Sequence, residues 1–271
     1  MSEDQDPWGP VIPAYERWAE PFSRRMAQAA LDQAAPRAGG AVLDVAAGTG
    51  ALAVTAAERG YRVRGIDASP AMTYRLQERL RSYRGCSGAV MDAFDLRYGD
   101  DEFDAAYSVL GVLNFGPGTP KALAEMVRVV RPGGIISVAG WADARSAPFF
   151  EPLGRAVARM NDPRIGVFVP ALSSYLDRAE VEAALVGAGC VDAVSEVVEV
   201  ECAVPDPEAF IRELQPILAF HPQYAEALAA DRGRFEALLT EEAGKLRTGG
   251  GGHLVGRANI VHARVPGVPG D

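Results

Sequence analysis

Three acids stand at the ends of three successive apolar stretches: Asp44 in AVLDVAAGTG, Asp67 in YRVRGID and Asp92 in GAVMDAF. A carboxylate offers two acceptor oxygens, so each position suits a ligand rich in N–H or O–H donors. Just after Asp44 the chain turns through Ala46-Ala47-Gly48-Thr49-Gly50. Residues this small let a ligand lie against bare backbone, and N–H groups at the start of the next helix point out to meet its polar or anionic part. Asp44, at the strand's carboxyl end, is placed to accept from a ligand ammonium or an ordered water. Asp67 follows 23 residues later, where an acid at the end of the second strand accepts both hydroxyl hydrogens of a ribose. Its competing role, capping the next helix, falls better to Ser69 with Pro70 at the first helical position. Asp92 and the amide of Ala93 set an acceptor beside a donor, the pair that the edge of a base requires.

A general base has few candidates. His253 and His262 fall in the expected last strand and read as structural. His221 lies at a helix break before Pro222 and is the best of them, with Asp143 and Tyr224 as weaker alternatives. Trp141, Phe149, Phe150 and Phe168 are the candidate lining of an apolar acceptor pocket, together with Tyr224.

Regular elements must hold these groups. Residues 41–53 read as strand, tight turn and helix, with further strands over 61–67, 88–91, 103–110, 135–139, 191–202 and 253–265. Helices are expected over 51–59, 71–83, 119–130, 177–186 and from 205 to 246 with a break at His221-Pro222. Seven strands alternating with helices give an α/β sheet covered on both faces. Arg131-Pro132-Gly133-Gly134 reads as a helix stop and turn. Residues 1–10 are expected to be disordered and 11–265 to form one domain. Two short helices interrupted near Pro21 are expected over 11–36, and they place Tyr15, Trp18, Phe22 and Met26 at helical spacing.

Asp44-Val45-Ala46-Ala47-Gly48-Thr49-Gly50 resembles motif I, Asp-x-Gly-x-Gly-x-Gly, of the class I S-adenosylmethionine-dependent methyltransferases, with Ala46 in place of the first glycine. Asp67-Ala68-Ser69-Pro70-Ala71-Met72 resembles motif II, and the helix, R-P-G-G and apolar strand around residue 131 is a further family signature. The resemblance covers roughly residues 41–141. It implies a Rossmann-like, mostly parallel sheet in the order 3-2-1-4-5-7-6 with the last strand antiparallel, and S-adenosylmethionine as cofactor with S-adenosylhomocysteine as product. It further implies that Asp92 takes the adenine amino group with Ala93 and Phe94 beside the ring, that Ala68 and Met72 lie near the nucleoside, and that Ser108, Val109 and Leu110 lie beneath the methionine part. An N-terminal helix bearing Tyr15 and Trp18 would close over the cleft, in a cap built from about 11–36, 142–170 and 203–250.

The implied activity is methyl transfer to a small molecule such as a secondary metabolite. The alternatives are a cyclisation or rearrangement on the same fold, a nucleoside-binding regulatory subunit and, last, an NAD-linked oxidoreductase, since Gly48-x-Gly50-x-x-Ala53 passes a loose dinucleotide pattern. With 27 basic and 36 acidic residues the net charge is −9, which argues against a non-specific nucleic-acid binder. Three scattered cysteines, Cys86, Cys190 and Cys202, argue against a disulfide framework or a zinc site. The chain starts without the layout of a secretory signal and lacks a bilayer-length apolar run, so a cytoplasmic protein without membrane partners is expected.

Overall fold

Seven strands hydrogen-bond into one sheet in the order β3-β2-β1-β4-β5-β7-β6, where β1 is Ala41–Val45, β2 Arg62–Asp67, β3 Ser87–Val90, β4 Phe103–Val109, β5 Val130–Trp141, β6 Val191–Ala203 and β7 His253–Arg264. In this computed structural model the described residues are 6–142, 148–168, 177–203, 206–249 and 253–267. β1 pairs in parallel with β2 on one side and with β4 on the other, so Asp44 lies between Gly65 and Tyr107. The strand order therefore reverses at β1, and the crevice at the carboxyl ends of β1 and β4 is the switch point where open α/β sheets collect ligands. β7 enters antiparallel between β5 and β6.

Both faces are apolar because both are covered. Val42, Val63, Ala105 and Tyr107 join one core, beneath α1 (Glu20–Gln33), α2 (Ala51–Glu58) and α3 (Pro70–Leu80), while Leu43, Val45, Ile66 and Ala106 join the other, beneath α4 (Thr119–Val129) and α6 (Arg178–Gly187). The first core continues into α5 (Glu151–Met160), α7 (Pro207–Leu218) and α8 (Pro222–Gly249) through Leu153, Phe210 and Phe235. α8 bends at Asp231, whose backbone is non-helical.

Three expectations differ. No break falls at Pro21: a π-helical turn over Tyr15–Ala19 runs straight into α1, with Glu20 N–H donating to Tyr15 O. Pro21 has no N–H to continue the ladder, and the wider turn just before it absorbs the mismatch. The R-P-G-G segment is not a turn between elements but a bulge inside β5, where β4 advances from Phe103 to Ala105 while β5 advances from Val130 to Ile135. Gly134 fits there because a Cβ would lie 2.8 Å from Asp104 O. Finally, the tail expected to be loose is anchored from Asp6, a buried residue whose Oδ2 accepts from Ser69 Oγ at 2.6 Å and Ala71 N at 2.9 Å; residues 1–5 lie outside the described residues.

At the amino edge of the sheet the buried Asp104 accepts from Arg37 Nε at 2.7 Å, Arg131 Nε at 2.6 Å and Ala41 N at 2.7 Å. Burial alone would raise this carboxyl, but those donors hold it down to about 2. Its folded value lies below the unfolded one, so its contribution is present above about pH 4 and is lost as pH falls towards 2. Asp104→Ala is expected to destabilise the fold by about 2 kcal/mol, the size of the carboxyl's shift, and chemical denaturation at pH 7 and pH 3 checks it: the gap between variant and parent should narrow at the lower pH.

Candidate active site

The turn after β1 is held from three sides. Ala46 is left-handed at φ 57°, followed by Gly48 at 55° and Gly50 at 99°. For alanine that conformation costs about 1–2 kcal/mol, so the turn persists because its surroundings fix it. Ala47 N donates to Ile66 O, Gly50 N to Ala47 O, and Gly48 N to Asp67 Oδ2 at 2.8 Å. Asp67 Oδ1 accepts from Ser69 N at 2.9 Å. Each Asp67 oxygen thus takes one amide and keeps a second lone pair for a ligand. Burial raises the Asp67 carboxyl against those amides. Ser69 caps α3 by accepting from Met72 N, with Pro70 at the first position, as their spacing predicts. Met72 is buried there, while Ala68 stays exposed beside Asp67.

Asp44 faces inward rather than out to solvent. It is 1 % exposed, and its Oδ2 accepts from Ala53 N, in the first turn of α2, at 2.9 Å. The sequence places this acid against a ligand or a water; the structure commits one of its oxygens to a helix N-terminus. Burial pushes the carboxyl up to about 8, opposed by the Ala53 amide and helped by the charge of Asp67. A folded value above the unfolded one means that Asp44 favours the fold most below about pH 4, an advantage lost as pH rises through 8.

Just past the end of β3, Asp92 is exposed and accepts from Phe94 N at 2.9 Å, while Ala93 is buried. Phe94 sits edge-on to Phe115 at 5.3 Å with Gly118 against its ring. On the other side of the crevice, Ser108 Oγ donates to Val45 O at 2.7 Å and accepts from Val112 N at 3.0 Å, fastening β4 to β1. Val109 and Leu110 are half-buried beside it, and Leu110 is also left-handed. Gly111 closes this floor, where a Cβ would lie 2.5 Å from Ser108 Oγ and 2.6 Å from Ala46 Cβ.

The N-terminal segment crosses above. Tyr15 stands over Gly48, its hydroxyl 3.6 Å from where a Cβ would project, and burial among carboxylates raises that phenol to about 12. Trp18 is placed differently from its expected role: its Nε1 donates to Glu213 at 2.9 Å and its ring meets Phe210 edge-on at 5.2 Å, which joins the segment to α7. Sequence reading missed the ionic contacts beneath this segment, Glu16 to Arg75 at 2.7 Å and Glu20 to Arg79 at 2.6 Å. The signal was available, because two acids four residues apart match two arginines four residues apart on another helix.

His221 is brought into an aromatic cluster. It is 3 % exposed, its ring meets Phe150 edge-on at 4.3 Å and Phe168 at 4.9 Å, and its Nε2 has no hydrogen-bond partner. Burial lowers its pKa, which keeps the imidazole neutral. Its neighbour Phe220 meets Trp8 of the N-terminal segment at 4.9 Å. Tyr224 packs on Phe235 at 5.7 Å and Trp141 on Phe22 at 5.9 Å. Asp143 and the side chain of Phe149 lie outside the described residues. Among the described residues no group of His, Cys, Asp and Glu is placed to hold a metal, and no helix is long and apolar enough to cross a membrane.

A family profile described as a methyltransferase domain matches residues 42–134. An uncharacterized protein of Mycobacterium tuberculosis is 41 % identical over 102 residues, 37 % of this chain and 36 % of that one. The demethylmenaquinone methyltransferase of Beutenbergia cavernae is 36 % identical over 128 residues, 47 % of this chain and 52 % of its own length. The chain thus spans from about a third to about half of the length of these curated relatives. Among solved structures, the [4+2]-cyclase SpnF superposes with a TM-score of 0.55 at 21 % identity, over 90 % of this chain and 82 % of that one. Residues 42–134 thus match a methyltransferase domain, and the sheet has the strand order 3-2-1-4-5-7-6 expected from the resemblance to the class I S-adenosylmethionine-dependent methyltransferases.

Proposed function

We propose that this protein transfers the methyl group of S-adenosylmethionine to an apolar, ring-bearing small molecule that carries a hydroxyl. The observation that carries the cofactor half is Asp67, which bridges Gly48 and Ser69 at the switch point and retains acceptor capacity on both oxygens. In this reading the ribose lies on Asp67, the base beside Asp92, Ala93 and Phe94, and the methionine part above Ser108 to Leu110 and below Tyr15. The sulfonium supplies an activated methyl, so the protein's work is to hold a nucleophile in line and to exclude water. For the acceptor, support comes from the neutral His221 among Phe150 and Phe168, and from a relative named for a demethylmenaquinone substrate.

Incubation with S-adenosylmethionine and a panel of phenols and hydroquinones tests it. The expected product gains one CH2 and S-adenosylhomocysteine appears. The same fold carries a [4+2]-cyclase, and that second reading predicts a product of unchanged mass with no S-adenosylhomocysteine.

Asp44 gives a further expectation. It lies close enough to Asp67 to feel its charge, and its carboxyl, raised to about 8, is protonated at pH 7 without ligand. A ligand ammonium brought beside it would favour the carboxylate, so binding of S-adenosylmethionine at pH 7 is expected to release about one proton. Calorimetry in buffers of different ionisation enthalpy measures this; a buffer-independent enthalpy would remove Asp44 from the ammonium site.

A further inference from the structure

Three side chains without an assigned role meet at the centre of the turn. Glu20 is 6 % exposed, and both its oxygens are engaged: Oε2 by Arg79 Nη1 at 2.6 Å and by the Thr49 hydroxyl, Oε1 by Arg79 Nη2 at 2.8 Å. Arg79 Nη1 also donates to Thr49 O at 3.0 Å. Thr49 is fully buried between the two left-handed glycines. Taking such a pair out of water largely offsets its Coulombic gain, so net stability is a poor account of it. What the pair does supply is geometry, because hydroxyl and carbonyl of the turn's middle residue are fixed at once by side chains from α1 and α3. The same N-terminal segment is fastened on both sides of this knot, through Tyr15 over Gly48 and through Asp6 on Ser69 and Ala71.

We propose that Glu20 and Arg79 are positioning residues that act through Thr49, so that the turn holds its ligand-binding shape only while α1 is docked. This rests on reading the turn as the S-adenosylmethionine site. Two equilibria that share one element are coupled reciprocally, so the cofactor in turn tightens the docking of the N-terminal segment.

The test compares Thr49→Val and Thr49→Ser in the full chain, both of which leave the ion pair in place. Titration with S-adenosylhomocysteine is expected to be about tenfold weaker for Thr49→Val and within about twofold of the parent for Thr49→Ser. Simple packing predicts the reverse order, because serine loses the methyl and valine keeps it. Hydrogen exchange over residues 6–33 is expected to slow on adding S-adenosylhomocysteine to the parent, and to slow less in Thr49→Val. A parent that does not bind overturns the reading of the site and this inference with it. A parent that binds, with Thr49→Val binding equally well, overturns this inference alone. Glu20→Gln, if it folds, is expected to weaken binding at least as much as Thr49→Val, and affinity equal to that of the parent counts against the proposal.

Discussion

Replacing Asp67 by alanine is expected to weaken S-adenosylmethionine binding by about two orders of magnitude or more. In the proposed placement the substitution removes two acceptor oxygens from a pair of ribose hydroxyls, and hydrogen bonds to a charged group are worth about 1.5–3 kcal/mol each. It also frees the Gly48 and Ser69 amides that the carboxylate now holds, so the turn loses part of its support together with its ligand. Asp67→Asn separates these contributions. An asparagine keeps one acceptor oxygen and turns the other into a donor, so it can hold one of the two amides but cannot receive both hydroxyls; an intermediate loss is expected. Calorimetric titration of the three proteins settles the matter, and an Asp67→Ala dissociation constant within threefold of the parent value would falsify the placement of the cofactor.

His221→Ala is expected to lower kcat by about a hundredfold, the lower range for loss of a general base, while the affinity for S-adenosylmethionine stays unchanged. Burial holds this imidazole below its ordinary value of 6.5, and its Nε2 is unpartnered. The group therefore enters neutral solution as a free base. The pH profile of kcat/KM should hold its plateau below pH 6.5 and fall only at more acid pH, and His221→Ala should flatten that limb. Stability carries the same sign. A folded value below the unfolded one means that the unfolded chain binds the extra proton, so stability falls as pH drops below about 6.5 and through the depressed value. Turnover unchanged in His221→Ala would retire the residue as a base and leave it as a ring within an aromatic cluster.

Element order and the glycine turn after β1 were legible because they are written in local signals. Glycines mark the turn at 48–50, Ser69-Pro70 marks the start of α3, and each acid stands within two residues of a strand's carboxyl end. Most boundaries moved by one to three residues and the start of β5 by five, and the largest differences lay where pairing overrode local chemistry. R-P-G-G has the composition of a turn, yet Val130 pairs with Phe103 and draws the segment into β5 as a bulge. Pro21 has the look of a helix break, but a π turn carries the chain past it. The rings expected to line an acceptor pocket were harder to place, since aromatic residues at 141, 150, 168 and 221 carry no periodicity that says which of them meet. Phe150 and Phe168 turned out to share His221, while Trp141 went to Phe22.

The sequence by itself determined the alternation of strands and helices, the glycine turn and three acids at strand ends, because turn dihedrals, caps and apolar runs are properties of neighbouring residues. Only the tertiary structure decided what those acids touch: that Asp44 turns inward to Ala53, that Asp67 clasps Gly48, and that Glu20 and Arg79 close on Thr49 from separate helices. Such contacts join residues tens of positions apart, and whether a carboxylate faces a ligand or a backbone amide depends on the packing of elements that no short stretch of chain encodes.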